Sequence, residues 1–263
     1  MSGTRFTFAS GEDLVLDVTG EDVTALQQLL RKFGFLRNIS TLGVFDDATR
    51  SAVEHYQKFF SLKPDGVVGP VTKNMLVQPR CGVPDIPEDK SGHWTAGAFV
   101  ARGCSYQKND LTYIFENFSR WLGPPVCRMV IRQAFAAWQA VSPLRFREAG
   151  PGETPDLRIA WESGHHHDGS PFDGPGNILA HAYYPPPCGG PHAGSLHFDD
   201  SETWVVDAGK QGFQLFQVAL HEIGHLLGLA HSSDRQAVMY ASYDAARTTL
   251  SRDDIQGISS LYT

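Results

Sequence analysis

The segment HEIGHLLGLAH, residues 221–231, spaces three histidines as a metal site would need them. His221 and His225 are four apart, so one face of a helix presents both imidazoles. Gly228 can take the left-handed conformation that ends a helix, and the turned chain can then bring His231 to the same point. Three neutral imidazoles leave the fourth position of a tetrahedral zinc open, which is the arrangement of a catalytic site. Glu222, beside the first histidine, is placed to take a proton from a zinc-bound water.

A second group of donors fills HHHDGSPFDGPGNILAHAYYPPPCGGPHAGSLHFDD, residues 165–200. In an extended segment residues two apart point the same way, so His166 and Asp168 form a two-toothed clip. His181 and His197, on predicted strands, can close the tetrahedron with three nitrogens and one oxygen. A closed set of this kind is a structural zinc site. His165, His167 and His192 read as bystanders. Within the same stretch FDGPGN offers hard oxygens, and Asp173 with the carbonyls of Gly174, Gly176 and Ile178 suits calcium. The remaining chemistry is a thiol in a rigid frame: PRCGVPD, residues 79–85, sets Cys81 between two prolines. A thiolate is a good zinc ligand.

The elements that must position these groups follow from apolar periodicity. Residues 19–77 read as a small three-helix unit, with Val23, Leu26, Leu29, Leu30 and Phe33 on one helix and Ala52, Val53, Tyr56, Phe59 and Phe60 on the next. Residues 79–105 are rich in Pro and Gly and read as a linker. Beyond them LTYIFENF, LRFREA, DLRIAWES, ILAHAYY and SLHFDD read as strands. PPVCRMVIRQAFAAWQAV, GFQLFQVALHEIGHLLG and SRDDIQGISSLY read as helices, the last capped by Ser251 with Asp254 three residues on. The expected fold class is α+β: a helical domain over 1–78, a linker over 79–105 and a catalytic domain over 106–263 with a mixed five-stranded sheet and three helices.

The zinc helix, the AVMY segment and PRCGVPD together resemble the matrixins, within the metzincins, and the resemblance makes AVMY their Met-turn, with Met239 under the zinc. The similarity runs from about residue 19 to 262 and is most specific at PRCGVPD, the zinc helix and DDI. The resemblance implies a latent zinc endopeptidase with a metzincin-type catalytic domain, in which Cys81 fills the open zinc position and the helical unit is a pro-domain. It matches the second zinc at His166, Asp168, His181 and His197, and adds Asp199 and Glu202 to the calcium set. The family usually has an acid at Ser201 and often proline at Ala241, where this chain departs. Two zincs and at least one calcium are therefore expected. So are protein or peptide substrates, an activating protease, an extracellular setting and a monomeric state. The helical unit also resembles peptidoglycan-binding domains, which leaves a second reading: a wall-polymer-binding protein with a vestigial or amidase-type zinc site. Intact Glu222 speaks against a vestigial site.

An extended substrate is expected to add to the edge strand ILAHAYY, with Ala180 and Ala182 as backbone contacts. Gln217 lies four residues before His221 and so on the same helix face. By the resemblance it floors the pocket for the residue after the cut bond, with Leu179, Val218, Tyr240 and Tyr243 as walls. A polar floor favours medium aliphatic side chains such as Leu or Met, because burying an unpaired amide costs about 1–3 kcal/mol. The net charge of -7 gives no support to nucleic-acid binding, and no apolar run is long enough to span a membrane. The N-terminal residues carry no apolar signal region. With Cys81 on zinc, Cys104, Cys127 and Cys188 remain, which allows one bridge and one free thiol or three free thiols.

Overall fold

The computed structural model describes residues 7–9, 11–86, 103–207 and 209–262. Residues 87–102 of the expected linker lie outside the described residues. The chain divides into two compact units. One holds residues 7–78 and 84–86, and the other holds Pro79–Val83 with residues 103–262.

The first unit contains helices α1 (Glu21–Lys32), α2 (Asp47–Phe59) and α3 (Pro70–Leu76). Helix α1 buries Val23, Leu26, Leu29 and Leu30, and α2 buries Ala52, Val53, Tyr56 and Phe59, the stripes that a 3.6-residue period lays on one face. Asp46 caps α2 by accepting from Thr49 N at 2.8 Å. Proline opens α3, where no amide hydrogen is needed. Two buried glutamines play matching parts. The Gln27 amide donates to Val44 O and Thr49 Oγ1, both at 2.9 Å, and its Oε1 accepts from Gly43 N. The Gln57 amide donates to Val67 O and Thr72 Oγ1, and its Oε1 accepts from Gly66 N. Each glutamine ties the loop after its helix to the start of the next, so buried backbone groups there are paired.

The second unit is built on a mixed sheet. Its strands are β1 (Arg80–Cys81), β2 (Asp110–Phe115), β3 (Arg145–Glu148), β4 (Leu157–Glu162), β5 (Ile178–Ala182) and β6 (Ser195–Asp199), in the order β1-β5-β6-β4-β2-β3. Only the β5–β6 pair is antiparallel. The expected five strands are all present, and the sixth is the two-residue β1. It joins because β5 would otherwise leave an open edge: Arg80 N donates to Asn177 O at 2.6 Å and Gly82 N to Ala180 O at 2.8 Å. Strand β5 ends at Ala182, short of the ILAHAYY run. A separate parallel pair joins β7 (Trp204–Val205) and β8 (Phe213–Gln214).

Helices α4 (Pro124–Gln139), α5 (Leu215–Leu226) and α6 (Arg252–Leu261) complete the unit. Helix α5 buries eleven of its twelve residues, as a helix apolar nearly all round must. Trp138 of α4, fully buried, donates its indole N–H to the Leu220 carbonyl at 2.9 Å, one residue before His221. Ser251 and Asp254 form the reciprocal capping box at the start of α6. The Asp254 carboxylate also accepts from Val238 N at 2.9 Å and Met239 N at 3.1 Å, which anchors the AVMY segment.

Candidate active site

Helix α5 delivers His221 and His225 with their Nε2 atoms 3.2 Å apart, and His231 Nε2 lies 3.2 Å from that of His221. The other ring nitrogens of the helical pair are occupied. His221 Nδ1 meets Val238 O at 2.7 Å and His225 Nδ1 meets Leu229 O at 2.7 Å. Donation to those carbonyls leaves a lone pair on each Nε2. Lone pairs facing each other in a buried site repel, so the geometry calls for a cation between them. Zinc–nitrogen bonds of about 2.0–2.1 Å place tetrahedral donors about 3.3 Å apart, close to the spacing found. The Cys81 Sγ joins the three nitrogens in a set whose members all lie within 4.8 Å of one another. Burial pushes all three imidazoles well below their ordinary range, so they are neutral, as metal ligands must be.

Two glycines make this packing possible. A side chain at Gly224 would meet Met239 Sδ at 2.2 Å, so only glycine lets the methionine lie against the zinc helix between the two histidines. Gly228 follows α5 with φ +106, and a side chain there would meet Cys104 O at 2.2 Å.

Glu222 is fully buried. Burial pushes its carboxyl up to about 8, and the neighbouring Cys81 thiol draws it down. Burial, then the Glu222 charge, pushes the Cys81 thiol well above its ordinary value. A metal in the donor set reverses this for the sulfur, since a coordinating thiol is deprotonated outright. Cys81 is held on both sides: its N–H donates to Ala241 O at 3.0 Å, and its Sγ accepts from Val83 N at 3.3 Å. Tyr184 packs with Cys81 and Val83, its ring 5.7 Å from that of His225. Arg80 Nε donates to the Cys81 carbonyl at 3.1 Å.

The second donor set closes around one oxygen. Asp168 Oδ2 lies 2.8 Å from His166 Nε2, 2.8 Å from His181 Nε2 and 2.9 Å from His197 Nδ1. His166 Nδ1 faces Gly164 O at 3.0 Å, which leaves its Nε2 a lone pair. Three nitrogens and one oxygen at these separations fit a filled tetrahedral zinc site. Burial opposes ionisation of Asp168, but the His181 hydrogen bond and the Ser170 amide outweigh it and hold the carboxyl well below the usual range. Burial lowers His181 to about 4.

Among the described residues the carboxylates of Asp173, Asp199 and Glu202 do not form a donor set of that tightness. Asp199 and Glu202 are buried, and Asp199 Oδ2 has no hydrogen-bond partner among the described residues. Burial raises the Asp199 carboxyl, and the Asp173 charge adds to the rise. A buried carboxylate oxygen such as Asp199 Oδ2 suits a hard cation. The amides of Gly176 and Ile178 point at Glu202 Oε1 and Asp173 Oδ1, at 2.6 and 3.3 Å, and Gly174 turns the loop with φ +83.

Arg80, Cys81, Leu179, Gln217, Val218, His221, Glu222 and the run Tyr240–Tyr243 line one pocket. Gln217 is 2 % exposed, so it faces the interior rather than solvent. Of the two expected edge contacts, Ala180 pairs with Cys81 of β1 on one side and Phe198 of β6 on the other, and Ala182 pairs with Leu196 of β6. Two features had no legible signal. Cys104 is bonded to Cys188, which leaves Cys81 and Cys127 as free thiols. Arg247 is buried behind the Tyr240–Tyr243 wall with backbone carbonyls as partners, and no side-chain pattern announces such a bond.

Comparison with known proteins agrees with this geometry. Residues 19–76 match the model of a putative peptidoglycan binding domain. The chain is 41% identical over 213 residues to matrix metalloproteinase-18 of Xenopus laevis, covering 80% of this chain and 43% of that protein. It is 38% identical over 259 residues to the hatching enzyme of Paracentrotus lividus, covering 97% of this chain and 41% of that protein. An interstitial collagenase of Bos taurus is 41% identical over 214 residues, covering 80% of this chain and 42% of that protein. The chain thus spans less than half the length of these relatives. Residues 105–263, which hold both histidine clusters and the metal helix, match the matrixin model, and the chain belongs to the matrixin family.

Proposed function

We propose that this chain is a zinc-dependent endopeptidase held latent by its own Cys81, with internal bonds of extended proteins as its substrates. The observation that carries the reading is the fourfold set of Cys81, His221, His225 and His231, because a switch thiol and three neutral imidazoles converge on one buried point beside Glu222. Matrixins use zinc and calcium. His221, His225 and His231 would hold the zinc, which when bound would supply Lewis-acid activation of the attacking water and of the scissile carbonyl. Glu222 takes the proton from the attacking water and passes it to the leaving amine. The open edge of β5 and the Tyr240–Tyr243 wall hold the substrate backbone extended, in the place now taken by Arg80–Gly82. Asp168 with its three histidines holds a structural zinc, and Asp173, Asp199 and Glu202 with the carbonyls of Gly174, Gly176 and Ile178 hold calcium.

Residues 1–78 act as the pro-domain, 79–105 as the switch and activation linker, and 106–263 as the catalytic domain. A second protease or self-cleavage then opens the chain, and an extracellular, monomeric enzyme follows. No helix among the described residues is long and apolar enough to cross a membrane. The other reading, a wall-polymer-binding protein with a vestigial or amidase-type zinc site, is not favoured, since residues 105–263 match the matrixin model; a pull-down on peptidoglycan tests it. A broad peptide-library digest, run with and without a zinc chelator after Cys81 is blocked, tests the main reading. Cleavage abolished by the chelator supports it. A digest with no cleaved peptide in either arm contradicts it.

A further inference from the structure

The wall of the cleft opposite β5 is the irregular segment 237–243, and its backbone must be held without the help of a helix or sheet. Its amides are held at one end by a carboxylate, since Asp254 accepts from Val238 N and Met239 N. Its carbonyls converge on one cation. Arg247 Nη1 donates to Tyr240 O at 3.1 Å and to Ala237 O at 3.4 Å, and Nη2 donates to Ser242 O. The guanidinium carbon also stacks 5.1 Å from the centre of the Tyr240 ring. Arg247 is 9 % exposed, so these bonds stand where water does not replace them. The outer edge of the same segment pairs with the switch. Ala241 O accepts from Cys81 N at 3.0 Å, Tyr243 N donates to Pro79 O at 2.8 Å, and Arg80 bridges to Ser242.

We propose that Arg247 is a positioning residue for this cleft: by gripping three carbonyls of the wall it sets the backbone edge that first captures the switch and later captures the substrate. The inference rests on the endopeptidase reading for its substrate half and on geometry alone for its switch half. Arg247 is not a member of either donor set. A planar fork reaches carbonyls in several directions at once, which a single ammonium cannot do. Substrate and switch share the edge, so losing the grip weakens both.

The test uses the zinc-loaded full chain and its two free thiols. Iodoacetamide alkylation of Cys81 is followed by mass spectrometry in wild type, Arg247→Met and Arg247→Lys. Cys127 is fully buried and acts as an internal gauge of general unfolding. The expected result is Cys81 alkylation faster by about ten-fold in Arg247→Met, the size of one lost charged hydrogen bond, with the Cys127 rate unchanged. Arg247→Lys shifts Cys81 in the same direction by less. An unchanged Cys81 rate, or equal acceleration at both thiols, overturns the proposal; should Arg247→Met not fold, the Arg247→Lys rates decide it. On a Cys81→Ser background, KM for a peptide spanning the cut bond should rise about ten-fold with kcat nearly kept, and a fall in kcat at constant KM overturns the substrate half. A Cys81→Ser parent without peptidase activity refutes the endopeptidase reading, while the alkylation rates still judge Arg247.

Discussion

Glu222 and Gln217 lie five residues apart on α5, the first proposed to serve the bond that breaks and the second the side chain beside it. Glu222→Gln keeps the volume of the side chain and removes its ability to carry a proton. Zinc content, read by metal analysis, should stay at the wild-type value, while kcat falls by about 10²–10⁴. Loss of zinc together with turnover would mean that Glu222 supports the metal helix instead. Gln217→Leu replaces a buried amide with an apolar group in the pocket that also holds Leu179, Val218 and Tyr243. The ratio of kcat/KM for peptides with a long aromatic group after the cut bond to that for leucine peptides should then rise several-fold, because an amide left unpaired by an apolar guest costs about 1–3 kcal/mol. An unchanged ratio would show that Gln217 does not shape the pocket. At this scale the metal donors were legible, because histidines at a helical spacing announce their shared face. The partners of Arg247 were not, because main-chain carbonyls are common to every residue.

Helix α2 is started by one side chain. Asp46 accepts from Thr49 N, from Thr49 Oγ1 at 2.7 Å and from Ser40 Oγ. The Ser40 bond, more than the opposing burial, lowers its carboxyl below the ordinary 3.8. A carboxylate depressed by folding adds stability that is fully present above that ordinary value and is lost as pH falls through the lower folded one. Asp46→Ala should therefore destabilise the helical unit by about 1–2 kcal/mol near neutral pH, with the difference from wild type shrinking in acid. Asp46→Asn should keep most of the cap and flatten the acid limb. Urea unfolding at several pH values checks both, and a pH-independent gap for Asp46→Ala would remove the charge from the explanation. The helices and the main strands were legible because each repeats a period over several residues. Strand β1 was not: it is two residues long and pairs with a partner almost a hundred residues away, so nothing local distinguishes it from the linker. The two glutamine clasps were hidden for a similar reason, since a glutamine on an apolar helix face looks like a tolerated exception until its loop partners are seen.

For the whole molecule, the Cys104–Cys188 bond joins the start of the catalytic region to the loop between β5 and β6, across a separation of 84 residues. The cysteine count left this pairing open, as parity constrains the number of bridges and not their ends. Replacing both cysteines with serine should lower the stability of the catalytic unit by about 2–4 kcal/mol, read as a lower melting temperature. Zinc content should be retained, because neither sulfur is in a donor set. The proposed latency would draw on every scale, from the sulfur of Cys81 through the β1–β5 pairing to the helical unit. The most direct measurement is the hydrolysis of one internally quenched peptide by the intact zinc-loaded chain and by its Cys81→Ser variant. The account predicts an intact chain near the blank and a Cys81→Ser chain that cleaves the peptide and is silenced by a zinc chelator. An intact chain as active as Cys81→Ser would contradict it.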